Sequence, residues 1–364
     1  MALRCGIVGL PNVGKSTLFN AVTAEGIAAE NYPFCTIEPN SGIVPVPDER
    51  LAALDAIVHS RQVVPATVEF VDIAGLVRGA SKGEGLGNQF LAHIRETSAV
   101  IQVVRCFEDP DVVHVDGAVA ALRNVETVET ELALADLETA ERRLERARRA
   151  AKAGRKEERA EAEFLERLVA WLSEGQPARD LEVPPAMRAL MRDCHLLTAK
   201  PMLYVANVDE AGLAEGSPQA EALEQGAAAR GCTCLRICAK VEAELAELDA
   251  ADKAAFLAEL GLREPGLHRL IRAAYALLGL ITFFTAGEKE VRAWTVRKGS
   301  LAPQAAGEIH TDFERSFIRA EVIPFEDYVA CGGEAGAKAR GRMRVEGKDY
   351  AIQDGDVVHF RVGA

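Results

Sequence analysis

Apolar and polar positions along the chain follow two rhythms. Short apolar runs at Leu3–Val8, Ile43–Val46, Thr67–Val71, Val100–Arg105, Met202–Ala206 and Leu235–Cys238 read as buried strands. Helical patterns separate them through the first 120 residues and again after residue 200. Strands that are apolar throughout and alternate with helices predict an α/β domain, a mainly parallel sheet covered on both faces. From about residue 124 to 199 the rhythm changes. Val125, Val128, Leu132, Leu137 and Leu144 recur at roughly helical spacing, and Phe164, Leu165, Leu168 and Leu172 follow after Gly154. This predicts an inserted helical hairpin, a coiled-coil-like arm turning near Gly154 and ended by Pro177. Its tip is charged all round and is expected to project into solvent. Beyond Leu280 the pattern predicts a strand at Trp294–Val296, a helix at Phe313–Glu321 and short strands around Met343–Val345, Tyr350–Ile352 and Val357–Val362. Asp354-Gly355-Asp356 supplies a tight turn. The expected organisation is a domain over 1–280 carrying the arm, then a small α+β domain over 281–364.

Composition narrows this picture. With 364 residues the chain is long enough for two proper cores. The most apolar stretch, Ala273–Phe284, is too short to span a membrane and is broken by Gly279. No signal-peptide layout precedes the first strand, and the expected location is the cytoplasm. Eight scattered cysteines without a C-x-x-C pair argue against metal or disulfide roles. A net charge of −13 argues against a wholesale nucleic-acid coat. Locally the sign reverses: between Glu138 and Arg159 stand nine Arg/Lys against five acidic residues. A second basic cluster comprises Lys338, Arg340, Arg342, Arg344 and Lys348. Each cluster reads as a solvated face or as a binding surface.

The chemistry is concentrated in Gly9-Leu10-Pro11-Asn12-Val13-Gly14-Lys15-Ser16-Thr17, which fits GxxxxGK[ST] between a strand and a helix. Glycines let consecutive backbone N–H groups converge on a β-phosphate, at the positive end of the helix that follows. Lys15 is expected to reach the β- and γ-phosphates and the Ser16 hydroxyl to ligate Mg²⁺. Asp72-Ile73-Ala74-Gly75 closes the next strand in the DxxG form: Asp72 for the Mg²⁺ hydration shell, the Gly75 amide for the γ-phosphate. Between them, Thr36 is the candidate second Mg²⁺ hydroxyl.

Two motifs depart from the GTPase pattern. The residue after DxxG, where Ras-like GTPases carry the water-orienting glutamine, is Leu76, which makes no hydrogen bond. His93 and His114 are the histidines near it in sequence, each readable as a water-positioning group or as a structural residue. The base-reading motif Asn-Lys-x-Asp becomes Asn207-Val208-Asp209-Glu210. Its lysine is lost and its aspartate is replaced by Glu210, one methylene longer, which weakens guanine selectivity and makes ATP as plausible as GTP.

Taken together these residues resemble the YchF family, an ATP-preferring branch of the Obg-related translation-factor GTPases. The resemblance runs over the full chain, through Asn31–Asn40, Phe283–Gly287, Glu290–Thr295 and Gly307–Glu314 as well as the motifs above. It implies an Obg-type P-loop domain, a helical arm and a C-terminal TGS domain of β-grasp fold. It further implies ATP on Gly9 and Asn12–Thr17 with Asp72, Gly75, Asn207 and Glu210 nearby, and Mg²⁺ on Ser16 and Thr36. Catalysis falls to Lys15 and to a mobile histidine matching His114. The implied function is a slow, Mg²⁺-dependent ATP switch, acting as a monomer on the ribosome and contacting RNA through the basic arm and the TGS domain. A GTP-specific translational GTPase, or a ribosome- or RNA-binding module with incidental hydrolysis, are the alternatives.

Overall fold

In a computed structural model of the chain, residues 3–27, 40–73, 86–108, 120–152 and 154–363 are described. The strands are β1 (Arg4–Val8), β2 (Ser41–Pro45), β3 (Val63–Val64), β4 (Thr67–Asp72), β5 (Ala99–Arg105), β6 (Met202–Asn207), β7 (Thr233–Ile237), β8 (Leu280–Ala286), β9 (Val291–Arg297), β10 (Phe317–Pro324), β11 (Arg344–Glu346) and β12 (Asp356–Val362). Contacts gather them into two compact units, Met1–Gly42 with Glu69–Leu270, and Ile43–Val68 with Ile271–Ala364.

One six-stranded sheet has the order β2-β4-β1-β5-β6-β7. The pairs β1–β4, β1–β5, β5–β6 and β6–β7 are all parallel, as the alternation of mainly apolar runs with helical patterns implies. Every residue of β5 and β6 is buried. The chain leaves β1 with β4 on one side and β5 on the other. The connections therefore diverge at its carboxyl end and open a crevice there. Gly6 in β1 is required by packing, since a Cβ would lie 2.6 Å from Ile73 Cδ1 and 2.9 Å from Thr97 Cγ2.

The inserted arm consists of helices Ala121–Ala151 and Lys156–Ser173, turning at Gly154 with φ of 88°. Ala140, Leu144, Leu165, Leu168 and Leu172 form its seam with Cys194 and Leu196. The seam stops there, and the tip is laced by ion pairs such as Arg148–Glu166 at 2.7 Å. At the root, Asp136 is 1% exposed and accepts hydrogen bonds from Leu197 N (2.7 Å), Thr198 N (2.8 Å) and the Thr198 hydroxyl (2.6 Å). Burial pushes its carboxyl pKa up, against the pull of those donors.

The second unit holds the sheet β11-β10-β12-β8-β9-β3. Helix Ala302–Ile309 covers one face through Ala302, Ala305 and Ala306, packed with Phe283, Phe317 and Phe360. Against Phe284 lies Arg50, its guanidinium 4.9 Å from the ring centroid and 2.8 Å from Asp354. The helix expected over Phe313–Glu321 is corrected here. Thr311–Ser316 is a short helix, and the chain extends into β10 from Phe317. Pairing with β12 on one side and β11 on the other, with Phe317, Ala320 and Val322 buried, overrides the local helical spacing. Tyr350–Ile352 contributes one bridge, Ala351 to Leu301, rather than a strand.

Asp136→Ala leaves the Leu197 and Thr198 amides unpaired in the interior. It is expected to cost about 3 kcal/mol in urea unfolding, and a loss below about 0.5 kcal/mol would place the arm's anchorage elsewhere.

Candidate nucleotide site

The site grows out of the carboxyl end of β1. Cys5, Ile7 and Val8 are fully buried, so the strand is fixed before the chain turns. At Gly9 a Cβ would sit 2.7 Å from the Val103 carbonyl oxygen of β5, so only glycine passes. Asn12 (φ 62°) and Gly14 (φ 87°) take left-handed conformations that wrap the loop, while Val13 points inward at 3% exposure. Helix Lys15–Ile27 begins at once, with Leu18 N–H bonding to Gly14 O at 3.0 Å. Lys15, Ser16 and Thr17 thus stand on its first turn, Ser16 and Thr17 exposed.

Asp72 is brought to the same place from β4. Its backbone N–H donates to Asn40 O (2.8 Å) and that of Ile73 to Ile7 O (3.1 Å), which fixes where the strand ends. The Lys15 ammonium forms an ion pair with the Asp72 carboxylate. Both groups are shielded, with side-chain exposures of 10% and 18%.

Asn207, at the end of β6, is 4% exposed and spends both ends of its amide on the protein. Nδ2 donates to Val13 O at 2.9 Å, and Oδ1 accepts from Ala239 N at 2.9 Å. It thereby ties the phosphate loop to the loop after β7. A Cβ on Gly14 would run into the Asn207 amide nitrogen. Asp209 turns away, accepting from Gly212 N at 2.7 Å as the N-cap of helix Glu210–Ala214. Glu210 Oε1 meets Lys240 Nζ at 3.2 Å on the exposed rim.

Between these groups lies a cavity of about 450 Å³, lined by Asn12, Gly14, Thr17, Phe107, Asn207–Glu210 and Cys238–Lys240 among others. Phe107 carries no motif and escapes sequence reasoning. The readable signal was its place two residues past the end of β5, at the sheet's switch point. Arg105 props it from below: 2% exposed, its guanidinium lies 4.6 Å from the ring centroid and Nε donates to Phe107 O at 3.1 Å.

The structure therefore brings together Gly9, Asn12, Val13, Gly14, Lys15, Ser16, Thr17, Asp72, Asn207 and Glu210. Thr36, Gly75, Leu76 and His114 lie outside the described residues. His93 is exposed on helix Leu86–Glu96.

Comparison with known proteins bears on this arrangement. Residues 4–140 match a family model described as a 50S ribosome-binding GTPase, and residues 280–363 match the YchF-GTPase C-terminal model, described as a protein of unknown function. The chain is 55% identical over 361 residues to the ribosome-binding ATPase YchF of Haemophilus influenzae, with 99% of each covered. It is 53% identical over 363 residues to that of Bacillus subtilis, again with 99% of each covered. The chain belongs to the YchF family. The solved YchF GTPase of Schizosaccharomyces pombe superposes with a TM-score of 0.90 at 36% identity, covering 99% of this chain and 97% of that one. The fold, with its α/β P-loop unit, is thus shared with that chain over nearly its whole length.

The geometry makes Asn207 a positioning residue of this YchF site. Asn207→Ala frees the Val13 carbonyl and the Ala239 amide together. It is expected to weaken nucleotide binding by about tenfold or more in a fluorescent-nucleotide titration; unchanged affinity would show that the phosphate loop holds its shape without the clamp.

Proposed function

We propose that the chain is a slow, Mg²⁺-dependent ATPase that binds the ribosome, a switch read out through its nucleotide state. The observation that carries the choice of base is the direction of the carboxylates. Asp209 is committed to a helix cap and Glu210 to Lys240 on the rim, while both ends of the Asn207 amide are spent. Among the described residues the carboxylates of the altered motif are thus engaged elsewhere and the other carboxylate of the lining, Glu108, is exposed, whereas the Phe107 ring offers a face to any purine. Adenine lacks the 2-amino group, so the absence of a carboxylate directed at that position costs it less than it costs guanine.

At the phosphate end the loop amides and Lys15 receive the β- and γ-phosphates. The donor set at hand, the Ser16 hydroxyl and the Asp72 carboxylate, is hard oxygen and suits Mg²⁺; Thr36 completes it by resemblance. Mg²⁺, when bound, neutralises charge between the β- and γ-phosphates. Phosphate oxygens would compete with Asp72 for the Lys15 ammonium, leaving the Asp72 carboxylate free to help hold Mg²⁺. That exchange couples the γ-phosphate to Gly75 and the segment after β4. Leu76 cannot orient water, and His114 takes that role.

Ribosome contact is assigned to the arm and the C-terminal TGS domain, with the chain acting as a cytoplasmic monomer. Among the described residues no helix is long and apolar enough to cross a membrane. On the arm, Arg142, Arg148, Arg149 and Arg155 are paired with glutamates. Arg146, Lys152, Lys156 and Arg159 have no such ion pair among the described residues and supply the positive tip.

Competition against a fluorescent ATP analogue tests the central reading: ATP is expected to displace it about tenfold better than GTP, and a GTP preference would make the protein a conventional GTPase. His114→Ala is expected to lower kcat about tenfold or more with ATP affinity kept; wild-type turnover would remove His114 from the mechanism. Charge reversal at Arg146, Lys152, Lys156 and Arg159 is expected to abolish ribosome co-sedimentation, and retained binding would move the contact off the arm.

A further inference from the structure

The second unit contains a larger cavity, about 660 Å³, that the nucleotide chemistry does not use. Its position follows from a mismatch in strand length. Val357 of β12 pairs with Phe284 of β8, but β8 ends at Ala286 and the chain turns back, with Gly287 N–H bonding to Glu290 O at 3.1 Å. β12 runs on to Val362, paired with β10 on its other side throughout. The strand's far end therefore presents one edge to the cavity, and no described strand pairs with it there.

Two kinds of side chain line this space. Ile309, Phe313, Ile323, Met343 and Val358 make it apolar, while Glu288, Glu290, Glu321 and Glu334 face it with one lysine, Lys289. Ligand atoms of Glu321, Glu334 and His359 converge within 4.8 Å of one another. Arg361 already holds Glu321 through a hydrogen bond of 2.9 Å and keeps its carboxyl below the usual range. Glu334 is exposed and shares the Arg361 guanidinium only at longer range, so the excess negative charge of the lining comes from Glu288, Glu290 and Glu334 against Lys289.

We propose that this groove binds an extended basic peptide segment, lysine or arginine alternating with aliphatic residues. Such a segment aligns with the open edge of β12, places its apolar side chains on the groove floor and its cations among the glutamates. An anionic strand such as RNA is repelled by the same carboxylates. The site is independent of the nucleotide and of the arm.

The test uses the full chain and a fluorescein-labelled heptapeptide alternating lysine and valine, followed by anisotropy. Saturable binding is expected, weakened about tenfold or more by Glu288→Lys with Glu334→Lys. A matched pair of charge reversals on another surface, Glu174→Lys with Glu247→Lys, is expected to leave affinity within about twofold. The glutamate–valine peptide is expected not to bind, and unlabelled oligouridine not to compete. Equal weakening by both double variants would reduce the effect to net charge and overturn the site. So would absence of saturable binding, binding unchanged by the groove variant, binding of the glutamate–valine peptide, or displacement by oligouridine.

Discussion

The nucleotide site depends on one amide. Asn207 stands at the carboxyl end of β6, and its two polar atoms span from Val13 O in the first loop to Ala239 N in the last. The two loops come from β1 and β7, which are not neighbours in the sheet. The ladders through β5 and β6 space the two strands, and the Asn207 side chain adds the direct tie between their loops. Because Asn207 is 4% exposed, both bonds form away from competing water, where an unmade one would cost most. The left-handed turn at Gly14 then has to be glycine, since the amide occupies the space a Cβ would need. Phosphate end and base end are registered to each other through this single group.

The arm shows the same economy with a charge in place of an amide. Asp136 sits in an apolar seam where burial disfavours its charged form, and three donors compensate. Two of these are backbone amides of the segment that leads into β6. The root is thus polar and specific, the middle is leucine packing, and the tip is held by exposed ion pairs that contribute little each. Stability falls along the arm while accessible charge rises, the gradient expected of an element that is anchored at one end and makes contact at the other.

Much of this was legible in the sequence, and the limits have physical causes. The central strands of the parallel sheet, β5 and β6, were readable because burial at every position leaves no polar alternation to confuse them. GxxxxGK[ST] and DxxG were readable because phosphate geometry admits few residue types. β10 was not: Phe317–Pro324 mixes apolar and charged positions at spacings a helix also satisfies, and partners distant in sequence decide it. Nor was Phe107, whose role comes from where β5 stops rather than from any local pattern. Asp209 and Glu210 are a third kind of case. Their identities could be read as altered base readers, but only the helix cap and Lys240 show where their carboxylates go.

These placements give the two ends of the site different tolerances. Around the phosphates, Gly9 is hemmed in by a β5 carbonyl and Gly14 by the Asn207 amide, so backbone shape is fixed and the charge partner of Lys15 is what can change. Around the base, the wall is a ring propped by a buried guanidinium and a rim ion pair open to solvent. A rigid phosphate cradle with an exchangeable counter-ion suits the proposed switch, in which the γ-phosphate would be detected by whether Asp72 or a phosphate oxygen holds Lys15. An aromatic wall beside motif carboxylates that are engaged elsewhere suits, on the proposed reading, a base recognised largely by shape. The replacement of the water-orienting glutamine by Leu76 belongs with this pattern. On the proposed reading, a site that reports the γ-phosphate gains from keeping it, because slow hydrolysis would lengthen the time for which the signal stands.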